Sequence, residues 1–391
     1  MSWKSCSLGE IASIQTGPFG SQLHSSDYVA QGIPLVMPVN IGRNLEIIEN
    51  GIAHISYYDA ERLKRHALVS GDIIYSRRGD VEKCAFIKEK QSGWICGTGC
   101  LAVRFFSGSV YPQFLAYQFL TESIKGWILG HAVGTTMPNL NSNILSNLPV
   151  VLPPLSEQKA IADILGSLDD KIDLLQRQNT TLEAMAETLF RQWFIEEAQE
   201  DWEEFSLDCI ADNIKEQAIP VSLDCNTPYV GLEHIDKKNI SLNRVGVSSD
   251  ISSNKFYFSK YDILFGKLRP YFHKVCFAPF NGVCSTDILV IRPKQKEMLP
   301  FCLFAFFQKD LIDFSDYASS GTRMPRTSWN ILSQYKMKKP PYDKIKKFNI
   351  ICQKYIDKIE KNQQQIRTLG KLRDTLLPKL MSGEVRVRVD G

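Results

Sequence analysis

The chain has 391 residues, 44% of them apolar, and a formal net charge of +3. That size and apolar content suit two domains of ordinary size, each with a packed core. No apolar run approaches the roughly 18 residues of a membrane span, and MSWKSCSLGE at the start lacks a secretory pattern. A cytoplasmic protein without a membrane partner is expected. The chain has 10 cysteines and no CxxC pair; Cys96 and Cys100 have no histidine cluster nearby, so reduced, mostly buried thiols are expected rather than a zinc site.

In chain order, residues 1–153 read as a globule of mixed α/β class. Short β-rich runs at 34–40, 72–76, 84–88 and 100–106 alternate with helix-like pieces at 56–65 and 111–124, and Gly/Pro-rich turns separate them. Residues 154–198 then form one long helix. It starts after Pro153-Pro154, with Ser156 as the expected N-cap, and carries apolar residues to Phe194. Residues 199–340 form a second globule with strands near 229–235, 262–266, 274–278 and 287–292, and residues 341–391 form a second long helix and a tail.

The two halves are a repeat. An offset of 187 lays GTTMPNLNSNILS (134–146) over GTRMPRTSWNILS (321–333) and Pro153-Pro154 over Pro340-Pro341. With small shifts, GDIIYSRRG (71–79) lies over YDILFGKLR (261–269), and WKSCSLGEIA (3–12) over WEEFSLDCIA (202–211). The halves diverge most at 13–33 against 212–227, where only the first has TGPFGSQLHSSDY. A shared scaffold with different loops points to two related tasks with different specificities.

The helices match as well. The seam Ile161, Leu165, Leu168, Ile172, Leu175, Asn179, Leu182, Ala186, Leu189 and Trp193 steps by four and three, the repeat of a coiled coil. The offset gives the same steps from Phe348 to Leu380, with Asn362 near the middle. Residues 151–200 hold four Lys/Arg against ten Asp/Glu, and 342–391 hold twelve against six, so opposite charge favours pairing of the two helices with each other. Parallel pairing would set Asn179 against Ile366 and Leu175 against Asn362, each amide unpartnered at a cost of about 1–3 kcal/mol. Antiparallel pairing sets Asn179 against Asn362, Ile172 against Leu369, Ala186 against Tyr355 and Trp193 against Phe348. The expected fold is therefore two pseudo-symmetric globules separated by an antiparallel coiled coil, with Pro378 ending or kinking its second helix.

Motifs for catalysis are missing. The chain has no GxxxxGK[ST], HExxH or GxSxG, and no glycine-rich dinucleotide fingerprint between strand and helix. KPPY at 339–342 is similar to the loop that amino-methyltransferases use to hold an exocyclic amine, but Lys339 cannot accept that amine's hydrogens. What remains is basic loops. Arg77 and Arg78 end a strand before Gly79, with Lys83 beyond. Lys267 and Arg269 occupy the equivalent loop, followed by His273 and Lys274. A basic cluster recurring at a strand end suits contacts to phosphate and bidentate readout of guanine; the alternative is a solvated turn. Thr135 and Thr136, with Thr322 and Arg323, sit in a second recurring loop that is either a further DNA contact or a structural turn. Phe19 is expected to be a packed loop anchor.

The two-fold layout, GTTMPNLN, PPLSEQKAIADIL (153–165), GDIIYSRRG and the closing LLPKLMSGEVRV (376–387) resemble the specificity subunit of type I restriction–modification systems along the whole chain. The resemblance implies two target-recognition domains, each reading half of a split site in double-stranded DNA, and helices that dock two modification subunits. Those subunits would bring S-adenosylmethionine and methylate adenine; restriction subunits would complete the nuclease. No catalytic, cofactor or metal residue is implied in this chain. In the second half PPYDKIKKF stands where the first has PPLSEQKAI, a departure at the docking surface. Two other readings stay open, a self-contained DNA methyltransferase and a coiled-coil scaffold whose globules read no sequence.

Overall fold

The computed structural model describes residues 3–387 except 20, 21, 107, 109, 135, 252 and 320–323, and for 222 and 250 the backbone alone. The chain divides into two compact units. The first is Met1–Asp169 with Gly370–Gly391, and the second is Asp170–Leu369. Each unit thus holds one globule and a stretch of both long helices.

In the first unit, Ala12–Thr16, Cys100–Phe105, Ile73–Ser76 and Cys84–Phe86 form an antiparallel sheet in that order, with Ile73 opposite both Val103 and Phe86. Ile73–Ser76 is the central strand. All four of its residues are buried, as expected of a continuous apolar run. A second sheet joins Tyr28–Val29, Ala53–Ile55, Ile33–Val36 and Ile95–Cys96, the last two in parallel. Lys4–Ser7 pairs with Pro149–Leu152, which closes the globule at the foot of the helix. The helices Pro112–Phe119 and Glu122–His131 bury Phe114, Phe119 and Ile128 in a core shared with Ile161, Leu165, Leu380 and Met381.

The second unit repeats this plan. Its antiparallel sheet is Ala211–Ile214, Ile288–Pro293, Ile263–Gly266 and Val275–Phe277, and Glu204–Ser206 pairs with Lys336–Lys338. Its second sheet has five strands, with Gly282–Cys284 and Pro228–Val230 in parallel. The helix Leu299–Phe307 is LPFCLFAFF, apolar all round, and every one of its residues is buried. Phe301 and Phe304 pack with Phe190 and Phe348 from the long helices and with Phe194 from the π turn Gln192–Glu196 that follows the first of them.

The first long helix is Leu155–Arg191 and the second is Tyr342–Ser382. Both start directly after their Pro-Pro pair. Ser156 therefore lies inside the first turn instead of capping it, because the Pro154 carbonyl already accepts from Glu157 and Gln158 N–H. Pro378 does not end the second helix, which runs through it to Ser382. Pro378 forfeits one backbone bond, but the turn beyond it buries Leu380 and Met381 in the core, which outweighs the loss.

Seam residues are buried or half-buried along both helices. In the second unit, Asn362 Nδ2 donates to Asn179 Oδ1 at 2.8 Å, the Trp193 and Phe348 rings lie 6.3 Å apart, and Lys344 Nζ meets Glu197 at 2.9 Å. In the first unit Arg373 is tied to Asp169 at 2.8 Å. The ion pair at each helix start has exchanged signs. Glu157 is held by Arg386 in the first unit, and its repeat mate Lys344 by Glu197 in the second.

Candidate nucleic-acid interface

Each central strand ends in a loop held by the same backbone bonds. In the first unit Arg77 N–H donates to Gly99 O (2.8 Å), Leu140 N–H to Arg77 O (2.8 Å), Gly79 N–H to Pro138 O (3.1 Å) and Ser76 N–H to Lys83 O (3.0 Å). In the second, Lys267 N–H donates to Asp287 O (2.8 Å), Thr327 N–H to Lys267 O (2.9 Å), Arg269 N–H to Pro325 O (2.7 Å) and Gly266 N–H to Lys274 O (2.8 Å). Arg78 bridges to Asn139 and Leu268 to Arg326. These bonds bring the strand-end loop and the recurring MP loop together in each unit.

They also agree with the register in which GDIIYSRRG lies over YDILFGKLR. Arg77 matches Lys267, but Arg78 matches Leu268, and Arg269 matches Gly79. The two matched residues share left-handed backbone, φ 76 at Gly79 and φ 51 at Arg269. The sequence repeat already lays Gly79 over Arg269, so the basic residue after Arg77 and the one after Lys267 do not occupy the same place. Lys83 matches Lys274, across a loop one residue longer in the second unit. The 3-10 turn Pro270–Phe272 and a second left-handed residue, His273 with φ 51, take up the extra length.

The side chains differ in what they leave available. Arg78 is exposed, and so is Thr136 in the MP loop. Arg77 is half-buried with its guanidinium 4.7 Å from the Phe19 ring centre. Phe19 is itself 45% exposed, so it is a surface platform for Arg77 and not the packed anchor expected. Lys83 is paired with Asp80. In the second unit His273 is buried, with Nε2 bonded to Phe307 O at 2.6 Å and its pKa lowered by burial; it serves the fold and does not face a ligand. Lys267 Nζ donates to Thr286 O and Lys274 Nζ to Leu232 O, and burial lowers the pKa of both. Arg269 is half-buried over Phe272. Thr135, Thr322 and Arg323 lie outside the described residues.

Sequence reading missed the exposed cations around the second loop. Lys237 Nζ sits 4.0 Å from the Phe272 ring centre, Arg244 is paired with Asp236 (2.6 Å), and Arg326 with Asp287 (2.8 Å). The consecutive lysines 237–238 were the available signal. Below both loops lies an ion pair that was also missed. Asp72, 1% exposed, accepts from Arg104 and from Val69 N–H; Asp262, 2% exposed, accepts from Arg292 and Ser259 N–H. Each pair staples the central strand to its neighbour and fixes the strand from which the loop departs.

The model of the type I restriction modification DNA specificity domain matches residues 1–184 and 199–369. The chain is 27% identical over 308 residues to the type I restriction enzyme MjaIX specificity subunit of Methanocaldococcus jannaschii, a match covering 71% of this chain and 70% of that protein. It is 22% identical over 346 residues to the type I restriction enzyme EcoDI specificity subunit of Escherichia coli, covering 74% and 77%. A crystal structure of the S subunit of a type I restriction–modification system from M. genitalium aligns with a TM-score of 0.61 at 15% identity, over 99% of this chain and 97% of that one. At that identity the likeness shows the fold.

Proposed function

The chain belongs to the type I restriction modification DNA specificity domain family, and from that premise we propose that it reads a split, asymmetric site in double-stranded DNA, one half with each unit. The observation that carries this is the loop frame built twice on the same backbone bonds and furnished with different cations. Identical loops would serve a palindrome, and different ones serve two different half-sites. Arg78 is the base-reading candidate of the first unit, with Arg77 on Phe19 and the exposed Thr136 in the MP loop as further contacts. In the second unit Lys267, Arg269 and Lys274 shape the loop, and Lys237 and Lys238 supply exposed charge for phosphates.

The long helices form an antiparallel coiled coil in this reading. The Asn179–Asn362, Trp193–Phe348 and Glu197–Lys344 contacts support it, since later residues of one helix meet earlier residues of the other. Outward apolar side chains support docking of two modification subunits: Ile164, Leu174 and Met185 on the first helix and Ile350 and Leu372 on the second are exposed. Those subunits would carry S-adenosylmethionine and methylate adenine, and restriction subunits would add cleavage. The cytoplasm is the proposed location, where genomic DNA is available.

Sequencing of methylated bases in the host, with and without this gene, tests the reading. A split motif that vanishes on deletion is expected; a palindrome, or no change in methylation, overturns it. For the coil, spin labels at 172 and 369 are expected to be adjacent, whereas adjacency of 172 and 359 means parallel helices.

A further inference from the structure

The bridge that holds the MP loop has a residue on each side, and its basic member changes sides between units. In the first unit the rung is Arg78 with Asn139; in the second it is Leu268 with Arg326. The backbone bonds on either side of the rung are the same in both. We infer that Arg326, steadied by Asp287, reads a base in the second half-site, at the place that Arg78 occupies in the first unit. This rests on the proposed function and names a residue for it.

A second change accompanies the first. Asp287 stands where the first unit has Gly99, since the two carbonyls accept the matching N–H groups of Lys267 and Arg77. Gly99 has no side chain to hold an arginine, and Asn139 needs none; the acid and the base occur together in the second unit. One Arg326 NH2 group donates to Asp287 Oδ1 at 2.8 Å, while the side chain stays 58% exposed. A guanidinium has five N–H donors, so this bond fixes its plane and leaves others outward. An exposed ion pair contributes little to stability, which makes folding a weak reason for it. A planar fork fixed at one edge suits guanine O6 and N7. The neighbouring cations are engaged elsewhere: Lys267 with Thr286 O, Lys274 with Leu232 O and His273 with Phe307 O.

The test uses the chain assembled with its modification subunits. Binding is measured at fixed salt on the duplex carrying the methylated motif and on duplexes with each base pair of both half-sites replaced in turn. Arg326→Ala is expected to lose about 5- to 150-fold in discrimination at one base pair of one half-site, leaving the other half-site unchanged. Arg326→Lys, which keeps the charge but not the fork, is expected to lose most of the same discrimination, and Asp287→Asn part of it. Unchanged discrimination in Arg326→Ala overturns the inference, as does a uniform loss on every duplex with a shallower salt dependence, the mark of a phosphate contact. If Arg326→Ala fails to assemble, Arg326→Lys decides by the same criterion. A wild-type complex that discriminates at no base pair overturns the functional reading itself, and the inference with it.

Discussion

The loops at Arg77–Lys83 and Lys267–Lys274 have the same attachments and different contents. Both leave a fully buried strand, both are pinned to a glycine- or aspartate-bearing turn and to an MP loop, and both are stapled from below by an Asp–Arg pair. The first leaves Arg78 exposed, whereas the second ties down Lys267 and Lys274 and buries His273. The contrast separates two jobs that basic residues do at one site: some build the loop and some face outward. Position in the sequence does not say which.

The largest effect is expected at the staples. Arg104→Met and Arg292→Met each strand a buried carboxylate and should cost about 2–3 kcal/mol in denaturant unfolding. A large loss in one unit and none in the other would show that the frames are not equivalent. Next comes Arg78→Ala, expected to reduce discrimination at one base pair of the first half-site by about 5- to 150-fold in the assembled complex. Leu268→Ala on the matching rung should leave discrimination intact; a matching loss there would break the assignment. A smaller effect is expected from backbone strain. Gly79 has open space where a Cβ would go, so Gly79→Ala should cost only its left-handed conformation, about 1 kcal/mol. Arg269→Gly at the matching place should gain about 0.5–1 kcal/mol. A gain at 79 or a loss at 269 would mean that the shared geometry is not what limits these positions.

A pH slope is expected in the second unit alone. Burial raises the Glu183 carboxyl from 4.5 to about 7, against bonds from the Ser241 hydroxyl and the Ile240 amide that lower it, with Asp236 and Glu187 adding to the rise. The unfolded chain releases this proton at lower pH than the folded one. The folded state therefore holds more protons between those values, and the second unit should lose stability as pH rises through that window. Glu183→Gln should flatten the slope measured by thermal unfolding. The repeat places Gly370 at the matching position, so the first unit has no counterpart.

Much of the fold was legible because it is periodic. The 187-residue offset and the seam steps lead to the Asn179–Asn362 contact, and apolar runs bounded by glycine lead to the strands at Ile73–Ser76, Cys84–Phe86 and Cys100–Phe105. Pairing of Lys4–Ser7 with Pro149–Leu152 was not legible, since nothing local links segments so far apart in sequence. At the site, charge marked the correct loops but not the correct side chains. His273 turns inward because its backbone is left-handed and Phe307 offers it a carbonyl, and neither fact is written at 273. Arg326 sits among MPRTS with no strand or helix signal to mark it, and its partner Asp287 lies 39 residues away.

The membership of the two units has a consequence for synthesis on the ribosome. The second unit is complete once Leu369 has emerged, whereas the first also requires the stretch that follows it. Its core lacks Leu380 and Met381, and Glu157 lacks Arg386, until that stretch has been made. The globule made first is therefore the last to finish folding, and its apolar foot stays uncovered while the entire second globule is being translated.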